Sequence, residues 1–161
     1  MIHSQSLSRS PRDLRGFLDL LQAEGRVLNV EEAILPEPGI AAYCGAASNG
    51  PGSSHSLLFN NIVGYQGMHL AVNLLASWGN CAVMAGLPLD TPLFDLVTEL
   101  CDRSTSRAPQ REVFKDPPSY ECVETARVDI YKILPLFRVH PQDGGFYLHK
   151  ACIISQISTY H

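Results

Sequence analysis

Apolar residues recur with helical spacing near the start of the chain, and this pattern predicts the first helix. The stripe has the i, i+3, i+4, i+7 spacing that places side chains on one helix face: Leu14, Phe17, Leu18 and Leu21. Ser10 is the predicted N-cap and Pro11 the first helical residue, where a missing N–H costs nothing. Gly25 is the predicted C-terminal stop. We interpret the stripe as a core face.

Three further helices are predicted before residue 104. The second opens at Pro36 and Pro38 and carries its own apolar stripe: Ile40, Tyr43, Cys44 and Ala47. The third begins near Ser77 and stops at Gly86. The fourth opens at Thr91–Pro92 and places four apolar residues on one face: Leu93, Leu96, Val97 and Leu100.

Short apolar runs between these helices predict strands. They cover residues 26–30, 56–59 and 68–75, with a turn from Asn60 to Gly67 between the last two. Helices and strands together predict an α+β domain over residues 11–103.

The amino-acid composition of the chain changes after this domain. Residues 104–119 are rich in proline and polar residues and show no apolar period, which is typical of a linker. Residues 120–161 are predicted to begin a second, β-rich unit. Within it, Asp143-Gly144-Gly145 is a turn signal, and residues 146–154 read as a strand that enters a core.

Composition and charge argue against several classes of protein. Apolar residues make up 45% of the 161 residues and charged residues 17%, which is typical of a globular protein. The net charge of −4 comes without a basic patch, so we expect no nucleic-acid partner. No apolar run approaches the ~20 residues of a membrane span, and the first residues do not form a secretory signal. We therefore expect a cytoplasmic protein.

The sequence contains few residue patterns that indicate a catalytic, metal-binding or ligand-binding site. The five cysteines lack a CxxC pair and the six histidines lack HxxxH or HExxH spacing, so a metal site or disulfide framework is not predicted. The loop at residues 48–52 lacks the lysine of a phosphate-binding loop. His140 and Asp143 are close enough in sequence to form an acid–base pair in a hydrolase, but no nucleophile accompanies them. His149 and Lys150 could line a pocket or face water. We therefore assign no catalytic, cofactor-binding or metal-binding residue in this chain.

Several separate segments resemble the UbiD-like decarboxylases. The longest is LPLFRVHPQDGGFYLHKACIIS at residues 134–155, which is similar to the entry to the cofactor domain of that family. Four others resemble family segments in the same order: residues 13–18, 58–65, 73–78 and 84–88. The similarity is greatest to the C subunit of the non-oxidative 4-hydroxybenzoate, vanillate and phenolic acid decarboxylases.

The resemblance implies a fold, a reaction and a set of cofactors. Family members are expected to pack an N-terminal α+β domain against a split β-barrel that holds prenylated FMN, Mn²⁺ and a monovalent cation. A C-terminal domain drives homo-oligomerisation. They remove CO2 from aromatic or α,β-unsaturated acids, with the modified flavin as electron sink.

The resemblance also implies where the family's functional residues stand. The metal-binding Asn and the N-x-G-x-Y-R motif follow the strand that corresponds to residues 151–155, and the Glu–Arg–Glu network lies further on. None of these positions occurs in the 161 residues, and residues 157–161 depart from the family pattern. We therefore expect the N-terminal portion of a decarboxylase, truncated and inactive alone. The alternative is a non-catalytic assembly or binding module that pairs with another decarboxylase subunit through an unfinished β-edge.

Overall fold

The first helix begins and ends with hydrogen bonds that its own sequence provides. The computed structural model describes residues 10–50, 55–106, 121, 123 and 125–148. Helix α1 spans Leu14–Ala23, and it buries Phe17 and Leu21 as predicted, whereas Leu14 is exposed. At its C-terminus, Gly25 has φ +65° and donates to the Gln22 carbonyl, while Arg26 N–H donates to the Leu21 carbonyl. This pair of bonds is the Schellman motif, so the predicted glycine stop is confirmed.

The predicted N-cap of α1 was wrong by three residues. The cap is Asp13, whose carboxylate accepts from Gly16 N–H at 2.8 Å. Ser10 instead donates its hydroxyl to the Ala85 carbonyl at 3.0 Å and so ties the start of the described chain to a distant element. Both residue types make good caps, and proline at position 11 favoured the earlier one.

We expect Asp13→Ala to lower the free energy of unfolding by about 1 kcal/mol, the usual cost of losing an N-cap side chain. Asp13→Asn is the matched control, because an amide oxygen accepts the same bond and should keep most of that stability. Urea denaturation of both variants checks the prediction. Equal losses in the two variants would contradict a capping role.

Three short strands form one sheet in the order β1-β2-β3. They span Val27–Val30, Ser56–Phe59 and Leu70–Val72, which confirms the predicted strands, with β3 shorter than expected. β1 pairs with β2 in parallel, and β2 pairs with β3 in an antiparallel register that sets Leu58 opposite Ala71. A parallel pair needs a crossover connection. Here the connection contains a π-type turn at Pro36–Ile40 and helix α2 at Ala41–Asn49.

The largest buried cluster lies between α2 and the sheet. Phe59 is 0% exposed and meets the Tyr43 ring edge-to-face, with ring centroids 5.8 Å apart. The cluster has seven buried members: Val30, Ile34, Ile40, Leu57, Phe59, Ile62 and Phe137. Tyr43, Cys44 and Ala47 pack against it, so the predicted apolar stripe of the second helix does face the core. Phe137 belongs to the later part of the chain, which is thereby packed on the same core.

The last two helices before residue 107 differ in how they are covered. Helix α3 spans Trp78–Met84, in agreement with the helix predicted to begin near Ser77, and the structure shows Ser77 as its N-cap. Helix α4 spans Leu93–Thr105, and of its predicted apolar face only Leu96 is buried, against Ala82 and Ala85. The remainder of that face is exposed: Leu93 44%, Val97 46% and Leu100 40%, with Phe94 beside it at 80%.

The described residues after 120 form one short helix and one β-bridge. Helix α5 spans Ile130–Ile133, capped by Asp129, whose carboxylate accepts from Tyr131 N–H. The turn predicted at residues 143–145 is present, and it brings Tyr147 opposite Phe137 in an antiparallel bridge. The strand predicted at 146–154 is described only to residue 148 and shows that one bridge there. The α+β class is confirmed by the helices and the three-stranded sheet.

Candidate functional site

The described residues enclose a mostly apolar cleft. Its volume is about 670 Å3. One wall is the continuous run of residues 69–76, which contains β3 and the turn after it. The other wall comes from residues 134–137 with Val139, Tyr147 and Leu148. Cys44 of α2 completes the lining. The cleft therefore separates the sheet from the later part of the chain.

Charge is absent from the lining of this cleft. Among the residues that the structure describes, no Asp, Glu, Lys or Arg lines it, and the polar side chains of this described lining belong to four residues: Cys44, His69, Asn73 and Tyr147. The His69 ring is already paired, because its Nδ1 lies 3.0 Å from Asn60 Oδ1. Such a surface favours apolar groups and offers no cation to a phosphate and no carboxylate to a metal ion.

Cys44, which lines the cleft, is a half-buried free thiol. Burial raises the pKa of its thiol, because desolvation disfavours the thiolate, and a backbone hydrogen bond offsets part of that effect. At a given pH the folded chain therefore holds less Cys44 thiolate than the unfolded chain does, and the thiolate is the reactive form.

We expect alkylation of Cys44 by iodoacetamide to need a higher pH in the folded chain than in the same chain unfolded in urea. Peptide mapping by mass spectrometry across a pH series measures this for Cys44 alone. Identical pH profiles in the two states would contradict the raised pKa.

A buried polar network holds the sheet-side wall of the cleft. Asn80 of α3 is 0% exposed and donates its amide to the Leu74 carbonyl at 3.1 Å and to Ser56 Oγ at 3.4 Å. Its amide oxygen accepts from Ser77 Oγ and from Arg26 Nε. Ser56, also fully buried, donates to the Asn73 carbonyl at 3.2 Å. The network thus joins Arg26 (directly before β1), β2, α3 and residues 73–74 of the wall.

The acid–base pair considered from sequence is not assembled. The Asp143 carboxylate accepts from the backbone N–H of His140 at 2.9 Å, and His140 Nδ1 accepts from Gln142 N–H at 3.2 Å. Both groups therefore close a turn and do not pair ring to carboxylate. This geometry does not support the hypothesis of a hydrolase that uses His140 and Asp143 as an acid–base pair.

The remaining candidate sites from the sequence do not form a ligand-binding site in the described residues. Ser48 and Asn49 bond back to carbonyls of their own helix, Cys44 and Gly45, and residues 51–54 lie outside the described ranges. His149 and Lys150 also lie outside them. Within the described part of the chain, no group of three or more His, Cys, Asp or Glu side chains could hold a metal ion. None of the helices described there combines the length and apolar character that crossing a membrane requires.

Sequence reasoning missed both the cleft and Asn80. A usable signal for Asn80 was present, because a serine at the predicted helix start is a good N-cap and Asn80 stands three residues after Ser77, where N-cap contacts concentrate. The cleft had no sequence signal, since its walls come from segments about 60 residues apart.

Comparison with known proteins gives one family. Residues 18–100 match the family model described as the N-terminal domain of 3-octaprenyl-4-hydroxybenzoate carboxy-lyase (UbiD). A phenolic acid decarboxylase of Bacillus subtilis is 41% identical over 145 residues, which cover 90% of this chain and 31% of that protein.

Solved structures agree with this match. The vanillic acid decarboxylase of Sedimentibacter hydroxybenzoicus in its open form aligns with a TM-score of 0.78 and 36% identity, over 86% of this chain and 30% of that one. An evolved dimeric form of the UbiD-class enzyme HmfF from Pelotomaculum thermopropionicum, in complex with prFMN, aligns with a TM-score of 0.68 and 26% identity, over 88% and 30%. The chain thus spans about a third of the length of these relatives.

Proposed function

The chain belongs to the UbiD family of carboxy-lyases, and from that membership we propose that it is the N-terminal portion of a non-oxidative phenolic acid decarboxylase. The proposed reaction removes CO2 from a hydroxybenzoate-type acid. The observation that carries the proposal is the 41% identity to a phenolic acid decarboxylase, because it extends over 90% of this chain. The proposal also includes a cytoplasmic location and a homo-oligomeric intact enzyme.

Prenylated FMN is the proposed cofactor, together with Mn²⁺ and a monovalent cation. The support for the flavin is its presence in the HmfF relative, and when bound it supplies an electron sink for loss of CO2. The residues described here do not fit these groups. In the described ranges, no Lys or Arg lines the cleft to bind the flavin phosphate, and no three-ligand cluster for a metal ion occurs. We therefore propose that the 161 residues alone do not bind the cofactors or decarboxylate.

We also propose the division of the chain given by its sequence: a domain at residues 11–103, a linker at 104–119 and the beginning of the barrel domain at 120–161. Helix α4 continues to Thr105 and so enters the first two residues of the proposed linker. The role of the N-terminal domain would be structural, since its buried clusters and the Asn80 network hold together the surface on which the later segment packs.

A chimera tests the proposed function. The 161 residues would replace the matching N-terminal third of the Bacillus subtilis enzyme, and the product would be supplied with prenylated FMN and Mn²⁺. We expect the chimera to release CO2 from 4-hydroxybenzoate or vanillate, and the isolated chain under the same conditions to release none.

Two results would contradict the proposal. A chimera that folds and binds the flavin but releases no CO2 from any phenolic acid would remove the decarboxylase assignment. Turnover by the isolated 161-residue chain would remove the statement that it is inactive alone.

The second candidate function is assembly with another decarboxylase subunit. The exposed apolar face of α4 favours it, because Phe94, at 80% exposure, and its neighbours form a surface of the kind that protein interfaces use. Size-exclusion chromatography of the chain mixed with the full-length Bacillus subtilis enzyme distinguishes the two. A stable mixed complex, weakened by Phe94→Gln, would favour assembly.

A further inference from the structure

The two parallel strands end side by side, and the loops that follow them stay paired. β1 and β2 run in the same direction, so their carboxyl ends lie at one end of the sheet. Beyond the strands, a parallel bridge joins Ile34 to Ile62, and Ile34 N–H donates to the Asn61 carbonyl at 3.0 Å. Three residues further along each loop stands a polar side chain, Glu37 in the first and Tyr65 in the second. This end of the sheet therefore carries two points of attachment.

The later part of the chain contacts both of these side chains. The Tyr65 hydroxyl donates to the backbone carbonyl of Tyr131 in α5. The Glu37 carboxylate pairs with Arg138, whose Nε lies 3.7 Å from Glu37 Oε1. Both contacts lie outside the apolar cleft, because none of these four residues lines it.

A single aromatic ring connects the two contacts. The Phe146 ring meets the Tyr131 ring edge-to-face, with ring centroids 5.6 Å apart. The Arg138 guanidinium lies over the same Phe146 ring, 5.7 Å from its centroid. Phe146 is 36% exposed, so this stack lies at the surface. We call the three side chains Tyr131, Arg138 and Phe146 the clasp.

The arginine contact is the weaker of the two. Arg138 Nε is buried and has no hydrogen-bond partner among the described residues, since 3.7 Å to the Glu37 carboxylate exceeds hydrogen-bond length. A buried donor without a partner costs free energy. The Tyr65 hydroxyl, in contrast, makes a hydrogen bond. We therefore expect the clasp to depend more on Tyr65 than on Glu37.

The segment held by the clasp covers the core and forms one wall of the cleft. Residues 129–147 include Phe137, which is 5% exposed within the largest buried cluster. They also include residues 134–137, which line the cleft opposite residues 69–76. Cys44 lines the same cleft and packs against the same cluster. Movement of this segment away from the sheet would therefore withdraw Phe137 and uncover Cys44.

We propose that residues 129–147 form a strap, which opens and closes over Cys44 as one unit and is held shut by the clasp. When closed, the strap places Phe137 in the core. When released, it exposes the apolar lining of the cleft while α1 and the sheet remain folded. The inference concerns a motion of the chain and does not depend on the proposed reaction.

Alkylation of Cys44 by iodoacetamide in the full chain, at one pH and without denaturant, tests the strap. Phe146→Leu removes the ring that connects both contacts, and we expect it to speed Cys44 alkylation at least fivefold. Phe94→Leu is the matched control, because it makes the same change on α4 at a side chain that is 80% exposed, and it should leave the rate unchanged. Equal Cys44 rates in the two variants would overturn the proposal.

The two contacts can also be released one at a time. Tyr65→Phe deletes only the hydroxyl and Arg138→Gln deletes the guanidinium, and we expect each to speed Cys44 alkylation at least twofold, Tyr65→Phe more so. Their effects should multiply in the double variant, because one motion breaks both contacts. Lys132→Gln removes a positive charge from the strap outside the clasp and should leave the rate unchanged. A double variant no faster than Lys132→Gln, or no faster than the faster single variant, would contradict the strap.

Hydrogen exchange shows whether the strap moves separately from the rest of the domain. Leu134 N–H donates to the Ile130 carbonyl at 2.9 Å within the strap, and we expect this amide to exchange at least tenfold faster in Phe146→Leu. The amides of α1 should keep their protection, since Phe17 and Leu21 belong to a different buried cluster. Equal acceleration in α1 would overturn the proposal, because the whole domain would then be unfolding together.

Discussion

Phe59→Ala should lower the free energy of unfolding by about 3–5 kcal/mol, enough to unfold much of a marginally stable domain. The side chain is 0% exposed and lies at the centre of the largest buried cluster, where it contacts the Tyr43 ring at 5.8 Å between centroids. Alanine there removes both the apolar contact and the edge-to-face interaction, and it leaves a cavity between α2 and β2. Urea denaturation followed by circular dichroism measures the loss.

Phe94→Ala is the matched control, because it deletes the same atoms from a side chain that is 80% exposed. We expect that change to alter the free energy of unfolding by no more than about 0.5 kcal/mol. Equal effects of the two substitutions would mean that the cluster around Phe59 is not the core of the domain. A large effect at Phe94 alone would mean that the face of α4 is covered in solution.

Local patterns predicted the elements well, because each depends on residues close together in sequence. The stripe around Phe17 and Leu21, the strands at residues 27–30 and 56–59, and the stop at Gly25 follow from spacing and from one residue with positive φ. The N-cap was misplaced by three residues. Ser10 and Asp13 are both suitable caps, and the contact that employs Ser10 elsewhere, with Ala85, is 75 residues away.

Burial was harder to predict than secondary structure. The stripes of α1 and α4 are alike in sequence, yet Leu21 is 0% exposed and Leu100 is 40% exposed. An apolar stripe shows which face a helix would bury, whereas the covering element is decided by tertiary contacts. For α4 the described residues cover only the side at Leu96.

The candidate site was the least predictable part. No catalytic residue was assigned from sequence, and the described residues bring no acid–base pair together, since His140 and Asp143 bond to backbone groups. The cleft forms where residues 69–76 face residues 134–137, Val139, Tyr147 and Leu148. Family resemblance supplied the reaction class, because the similarity extends along most of the chain and does not depend on any one site.

Asn80→Ala should cost roughly 2–4 kcal/mol, because it removes a fully buried amide and the four side-chain hydrogen bonds that this amide makes. The amide of Asn80 satisfies the Leu74 carbonyl and Ser56 Oγ, and its oxygen accepts from Arg26 Nε. An apolar residue of similar size would also remove these bonds, although Ser56 Oγ would still donate to the Asn73 carbonyl. Since Leu74 belongs to the wall of the cleft, we also expect faster alkylation of Cys44 under native conditions.

Asn29→Ala is the matched control for Asn80→Ala, because it removes the same amide side chain from an exposed position. Asn29 is exposed and makes one side-chain bond, to Gln22 Oε1 at 3.2 Å, so its loss should cost no more than about 0.5 kcal/mol and leave Cys44 labelling unchanged. If Asn80→Ala is as mild as Asn29→Ala, the wall does not depend on the network. If it destabilises the domain but leaves Cys44 labelling unchanged, Asn80 stabilises the sheet without positioning the cleft. A large loss with faster labelling makes this single buried amide the link between the sheet and the surface that the later segment occupies.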